Sequence, residues 1–313
     1  MSGFEVKQPG LLSLLQDLGR FGAHGLGLTT GGPLDGLAFA WANRMLDNPA
    51  NATCLEIGFG GLVIEAQLAT SFVVTGASAP CKLNGEDIEQ WHTHDISPGD
   101  RLEVGFARAG TRSYLSVCGG FRIEPSFGSN STVVREKIGG LNGGKLQAGD
   151  LLPCSGPPLS AHCRLPESSR PQYGDHAVLR LVRGYQQAAF DHVQQWRFFN
   201  SEYRLTERCD RMGFRLEGET VHSGMVGMLS EGICHGAVQI PADGQPIVLM
   251  NDRQTIGGYP KIGSVIPLDT ARLAQLSPGA GVRFEAISIE AAHNIHWLEK
   301  SRFERTSLTA CGT

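Results

Sequence analysis

Gln16-Asp17-Leu18-Gly19-Arg20 places an amide, an acid and a guanidinium within five residues, directly after the apolar stretch Leu11 to Leu15. Ser129, Ser131 and Thr132, with Arg135 just beyond, offer hydroxyls and one fixed cation. That combination suits a carboxylate or a phosphoryl group, because a forked guanidinium supported by hydroxyls holds either one well. Asp210 and Arg211 stand in a charged run from Thr206 to Gly213, and Asn251-Asp252-Arg253-Gln254-Thr255 leads into Gly257-Gly258-Tyr259. Strand ends on a rigid scaffold are where such groups are displayed for binding and proton transfer. The competing reading is a solvated hairpin tip with local Asp–Arg pairs, which contribute little at a surface.

Other chemistries are poorly represented. His92-x-His94 followed by Asp95 has metal-ligand residue types but no third ligand nearby in sequence, and the eight cysteines never form a Cys-x-x-Cys pair, so no metal site is expected. There is no Gly-x-Ser-x-Gly elbow and no Gly-x-x-x-x-Gly-Lys-Ser/Thr phosphate loop. Gly139-Gly140 and Gly143-Gly144 before Lys145 read as a pair of loose turns rather than an anion cradle. A net charge of −4 leaves no basic surplus to neutralise phosphates, so a nucleic-acid partner is not expected. No run of about 18 apolar residues and no basic-then-apolar leader occurs, so the expectation is a cytoplasmic protein with reduced thiols and no membrane partner.

The elements that must position these groups are mostly strands. Leu62 to Ala66, Phe72 to Thr75, Leu102 to Phe106 and Ser113 to Val117 are short apolar or alternating runs between glycine-rich breaks, and Val178 to Val182, Phe214 to Leu216, Ala237 to Ile240, Ile247 to Met250 and Val282 to Ile287 repeat the style. The 41 glycines are close to twice the usual share of about 7% and are spread along the chain, as many tight turns require. A turn feeding a strand recurs at Ser97-Pro98-Gly99-Asp100, Ala148-Gly149-Asp150 and Ser277-Pro278-Gly279. Helical spacing is confined to Asp35 to Leu46, Asp269 to Leu276 and Asp191 to Phe198, the first capped by Asp35 and ended by Asn48-Pro49. The fold class is therefore mainly β. Prolines and serines without periodicity mark a linker at 154–171, which separates a barrel domain at 1–153 from a second at 172–290, with a C-terminal tail at 291–313.

Taken in order, these blocks resemble a known family. Pro9-Gly10-Leu11-Leu12 through Arg20, Gly31-Gly32-Pro33-Leu34-Asp35, Asn43-Arg44, Asn48-Pro49 and Leu55-Glu56 are similar to the start of the allophanate hydrolase subunit 2 family, also called biotin-dependent carboxyltransferase-like proteins. The similarity continues through Thr75-Gly76-Ala77, Leu83-Asn84-Gly85, Gly119-Gly120-Phe121, the 128–140 segment, Asp210-Arg211-Met212-Gly213-Phe214, Gln239-Ile240-Pro241 and Asp252-x-Gln254-Thr255-x-Gly257-Gly258-Tyr259-Pro260, and spans about residues 4–288. Family members commonly carry a Ser-Arg-Ser-Thr-Asp-Leu-Arg-like block where this chain has Ser129 to Arg135.

The resemblance implies two cyclophilin-like β-barrels and work as one part of a complex. The family includes the C component of the bacterial 5-oxoprolinase, which uses ATP, with a B-like and an A-like chain, to open 5-oxoproline to glutamate. The implied activity is that of one component of such a hydrolase, inactive alone. A carboxyltransferase component of a biotin-dependent urea or amide carboxylase is the alternative, and a regulatory partner of a kinase-inhibitor-like chain is the non-catalytic one. For a carboxylate-bearing cyclic amide whose activated form carries a phosphoryl group, side-chain chemistry points to Asp35, Asp210, Arg211 and Asp252 as catalytic groups, and to Arg20, Ser129, Thr132, Arg135, Gln254, Thr255 and Tyr259 as substrate-binding groups.

Overall fold

The computed structural model describes residues 2–225 and 227–311; Met1, Val226 and the last two residues of the expected tail lie outside them. The chain divides into two compact units, one of Met1–Gly22, Gly31–Tyr173 and Thr306–Thr313, the other of Ala23–Thr30 and Gly174–Arg305.

In the first unit the strands form two antiparallel sheets. One runs in the order Leu151–Pro153, Gly3–Pro9, Leu62–Ala66, Arg101–Val104, Cys81–Leu83 and Glu86–Ile88; the other in the order Leu12–Gln16, Cys54–Gly58, Ala109–Val117, Thr70–Ser78 and Thr93–Ile96. Their apolar faces share one core, in which Phe4, Val6, Leu62 and Ile64 of the first sheet meet Leu15, Leu55, Phe72 and Leu115 of the second. Burying side chains of this size stabilises the unit by about 1.5–3 kcal/mol each. The helix Gly36–Met45 packs Ala38, Phe39, Trp41 and Ala42 inward, and its first turn is capped as expected, Asp35 Oδ1 accepting from the Ala38 N–H at 3.0 Å.

In the second unit a sheet closes on itself. The order is His176–Arg183, Lys261–Val265, Ala237–Gln239, Ile247–Leu249, Gly213–Glu217, Tyr203–Cys209 and Gly281–Ile287, and the barrel is sealed by parallel pairing of Gly281–Ile287 with His176–Arg183. Closure leaves no unpaired sheet edge. Phe198, from the helix His192–Asn200, stacks on Phe284 at 4.4 Å inside the core, and Leu179, Leu181, Phe214, Leu216, Val238 and Val248 are fully buried with them. A two-strand ribbon, Glu231–Gly232 with Ile256–Gly257, is separate from the barrel sheet.

Mainly β is thus the architecture, with the barrel hydrogen-bonded closed in the second unit and two open sheets around one core in the first. The recurring turn has the same form in both units: Asp100 N–H donates to Ser97 O at 3.0 Å and Ala280 N–H to Ser277 O at 3.1 Å. Gly99 and Gly279 both sit at φ 90°, a conformation closed to most side chains, and each turn delivers the chain into a strand. Residues 154–171, read as linker, carry a strand His162–Arg164 paired with Thr309–Cys311, while the helix Ile289–Arg305 begins two residues before the expected tail at 291–313 and runs through its first part.

Candidate active site

An acid and a base meet in the second unit across thirty residues of sequence. Lys261 opens a barrel strand beside Gln239, Glu231 opens the ribbon, and the Lys261 Nζ pairs with Glu231 Oε1 in a very short contact. Gln186 locks both partners: its Nε2 donates to Glu231 Oε1 at 2.7 Å and its Oε1 accepts from the Lys261 backbone N–H at 2.8 Å. The ammonium beside it pulls the Glu231 carboxyl below its ordinary value, so it stays ionised, while the same carboxylate pushes the Tyr185 phenol up and keeps it a proton donor.

Lys261 and Tyr185 line a cavity of about 710 Å³ together with Arg253, Cys234, Thr255 and Ser264. Arg253 is 7% exposed and donates through Nε to Ile233 O at 3.3 Å. Burial pulls this guanidinium down from its ordinary value, yet guanidinium remains charged in proteins and supplies a fixed positive field in the wall. The lining thus offers an ammonium donor, a phenol and a buried cation in one place, with the Glu231 carboxylate paired to that ammonium, a set that can hold an anionic substrate and move a proton.

His235, close enough to Arg253 to feel its charge, adds no second positive charge beside it. Burial, and then the nearby Arg253 charge, lower its pKa to about 4, so it is neutral at pH 7. A folded-state value below the ordinary 6.5 means the unfolded chain takes up the proton first as pH falls. The associated stability is complete above pH 6.5 and is lost down to about pH 4. Stability should therefore fall by about 2 kcal/mol between pH 7 and pH 5 through this residue. Urea denaturation at the two pH values should show that loss in the native chain and not in His235→Gln; equal losses in both would remove His235 as the cause.

The expected site residues fall into three groups. Asp210, Gln254 and Tyr259 line a second cavity of the same unit, of about 450 Å³, and Thr255 lines the larger one. Arg211 and Asp252 lie inside, in a forked pair with Nε to Oδ2 at 2.9 Å and Nη2 to Oδ1 at 3.0 Å. This pair braces the 209–213 turn against the 250–253 loop, whose Asp252 N–H donates to Arg211 O at 2.7 Å. Asp210 itself is exposed and folds its own turn, Oδ1 accepting from the N–H groups of Met212 and Gly213.

Arg20, Asp35, Ser129 and Thr132 are buried in the first unit. Arg20 donates through Nε to Ser126 O at 2.9 Å and through Nη2 to Ser131 O at 3.2 Å. Asp17 Oδ1 accepts from Ser129 Oγ at 2.6 Å and Ser131 Oγ at 2.7 Å, and Oδ2 from the Asn130 N–H at 2.8 Å. Thr132 Oγ1 donates to Leu15 O, and the second oxygen of Asp35 accepts from the Tyr173 hydroxyl at 2.7 Å. Gly139 closes the network: a methyl group there would lie 2.0 Å from Ser131 O and 3.2 Å from Arg20 Nη2. Arg135 is exposed on the 133–138 turn. Asp17→Ala would leave two hydroxyls and an amide without their charged acceptor, at a cost of about 3 kcal/mol or more. Chemical denaturation measures it, and a loss under about 1 kcal/mol would contradict the assigned network.

Glu231, Lys261, Tyr185 and Gln186 were not among the residues expected from sequence. The one sequence signal was position: Lys261 directly follows the Gly257-Gly258-Tyr259-Pro260 run.

A two-unit β protein with a charged cavity in a closed barrel is the class these features define, and the chain belongs to the family of the carboxyltransferase domain, subdomain A and B, whose model matches residues 26–286. It is 36% identical over 279 residues to the C subunit of the Haemophilus influenzae 5-oxoprolinase, covering 89% of both chains. Against the C subunit of the Escherichia coli 5-oxoprolinase it is 35% identical over 302 residues, covering 96% of both. Among solved structures it superposes on the Kluyveromyces lactis urea carboxylase with a TM-score of 0.90 at 26% identity, covering 98% of this chain and 29% of that one. On the K. lactis urea amidolyase the TM-score is 0.90 at 25% identity, and the chain spans 20% of that protein's length. Among the described residues no helix is long and apolar enough to cross a membrane.

Proposed function

We propose that this chain is the C component of an ATP-dependent 5-oxoprolinase complex, which opens 5-oxoproline to glutamate together with a B-like and an A-like chain, and that it is inactive alone. Lys261, paired with Glu231 and lining a cavity with Tyr185 and Arg253, is the observation that carries the reading. A five-membered lactam resists water, and phosphorylating its carbonyl oxygen turns that oxygen into a leaving group. ATP is a co-substrate of the complex: its terminal phosphoryl passes to the lactam oxygen with release of ADP, one water opens the ring C–N bond to leave an acyl phosphate, and a second water releases phosphate and glutamate.

The residues of this chain suit the ring-opening half of that chemistry. Lys261 donates to the oxygen on which negative charge develops, and Arg253 stabilises the same charge through the field of the wall. Glu231, held ionised, accepts a proton from the attacking water. Tyr185, held protonated, delivers one to the departing ring nitrogen. Two relatives named as the C subunit of 5-oxoprolinase, matched over nearly their whole length, support this reading above the urea carboxylase one, where the match covers a minor part of the protein. The test is a substrate comparison in the reconstituted complex. Glutamate formed from 5-oxoproline with ATP supports the proposal; carboxylation of urea from a carboxybiotin carrier, with no glutamate formed, overturns it.

A further inference from the structure

A thiol stands in the larger cavity beside a buried cation that has no acid to meet it. Cys234 and Arg253 both line that cavity, and Arg253 lies close enough to feel a charge on the Cys234 sulfur. Arg253 is 7% exposed, and its side-chain hydrogen bonds go to two carbonyls, Nε to Ile233 O at 3.3 Å and Nη1 to Met250 O at 3.5 Å. Its Nη2 has no hydrogen-bond partner, and the guanidinium no ion pair, among the described residues. Lys261, the other cation of the lining, is already paired with Glu231, so Arg253 supplies the unbalanced positive charge. Buried charges are ordinarily paired, and one left open in a cavity wall fits an anionic group arriving from outside.

Cys234 is placed to take such a group covalently. Of the eight cysteines, all of them free and within the described residues, only Cys234 is exposed. Burial pushes the thiols of Cys54 and Cys81 up to about 12 and that of Cys154 up to about 11, and raises Cys118 and Cys163 as well, so these stay protonated and unreactive. The Cys234 sulfur lies 3.0 Å from Ser264 Oγ, whose hydroxyl can donate to the thiolate that disulfide exchange requires. We propose that Cys234 is a modification site for small disulfides that carry a carboxylate, and that the adduct closes the cavity to substrate. In the exchange the Cys234 thiolate attacks one sulfur of the disulfide, a protein–ligand S–S bond forms and the original S–S bond breaks. The released thiolate takes up the proton that Cys234 lost. Arg253 holds the carboxylate while the sulfurs exchange. Loss of turnover on modification rests on the proposed 5-oxoprolinase role; the adduct and its charge preference do not.

Timed reaction of the full chain with two disulfides tests the site: dithiodipropionate, which carries two carboxylates, and cystamine, which carries two ammoniums. Adducts are located by peptide mass spectrometry, and each rate is taken relative to that of a neutral free thiol, N-acetylcysteine amide. At low salt the dicarboxylate should modify Cys234 before any other cysteine, at a relative rate about tenfold or more above that of cystamine. Raising the salt to about 0.5 M should remove most of that difference. Cys234→Ser should show no early adduct. In the reconstituted complex the adduct should lower turnover about tenfold or more, dithiothreitol should restore it, and the Cys234→Ser complex should turn over equally before and after treatment. A different cysteine reacting first, equal relative rates for the two disulfides at low salt, or full turnover by the Cys234 adduct would each overturn the proposal. The labelling arms need no turnover, so a complex that forms no glutamate from 5-oxoproline fails the proposed reaction and not this site.

Discussion

Replacing Lys261 by Met is expected to lower 5-oxoproline-dependent turnover of the reconstituted complex by about 10²–10³-fold, the usual loss when a preorganised donor to a developing oxyanion is removed. The ammonium is nearly buried and locked through Glu231 and Gln186, so no reorganisation is required of it when charge develops. Glu231 keeps its Gln186 bond and about a third of its solvent exposure in the variant, which limits the cost to folding. The melting temperature should therefore move by only a few degrees while the rate collapses. Normal turnover in Lys261→Met would take the residue out of the chemistry. Lost turnover with an equally large loss of stability would make the pair structural.

Arg211→Ala is expected to behave in the opposite way, costing about 3–5 kcal/mol of stability, because it strips a guanidinium from a carboxylate that is buried with it. Both side chains are under a tenth exposed and joined by two bonds of 2.9 and 3.0 Å, so the variant takes the forked guanidinium away from a buried carboxylate. Guanidinium chloride denaturation measures this cost. An apolar double replacement, Arg211→Met with Asp252→Leu, should recover most of it. A loss under about 1 kcal/mol in Arg211→Ala would mean that the pair behaves as a surface pair, against its observed burial.

These two expectations show what sequence can and cannot separate. Arg20, Arg208, Arg211 and Arg253 look alike on paper, each a guanidinium in a polar run. Burial divides them: Arg20 is bonded to carbonyls of its own unit, Arg211 to Asp252, Arg253 stands in a cavity wall and Arg208 on a cavity rim. No local pattern encodes that difference, because it depends on which strands pair. Local features were legible for the same reason in reverse. Asp35 caps its helix with a bond to a residue three positions on, and Gly99 and Gly279 take the turn conformation their own neighbours demand.

The blocks that carry the family resemblance in the first unit turn out to be the means of its packing. Asp17, Ser129, Ser131, Arg20 and Gly139 are far apart in sequence and fill one buried network, so their order and spacing report a shared architecture. The acid–base pair was invisible for a different reason. Glu231 and Lys261 are thirty positions apart, and only the barrel register, which sets Lys261 against Gln239, and the ribbon that begins at Glu231 bring them together. Neither stands in a run that a residue count would single out. The Gly139 to Gly144 loop, which reads in sequence as turns or an anion cradle, has Gly143 pressed against the Lys137 backbone, where a methyl group would lie 2.2 Å away.

The central claim is that this chain supplies part of the machinery for opening 5-oxoproline, and an omit-one reconstitution tests it most directly. Glutamate and ADP would be followed from 5-oxoproline and ATP with the A-like, B-like and present chains in all combinations, and with Lys261→Met in place of the native chain. The predicted result is glutamate formation at about 1 per second or more from the full set, none from this chain alone, and a collapse when it is omitted or carries Lys261→Met. Full turnover by the other two chains without this one would contradict the account.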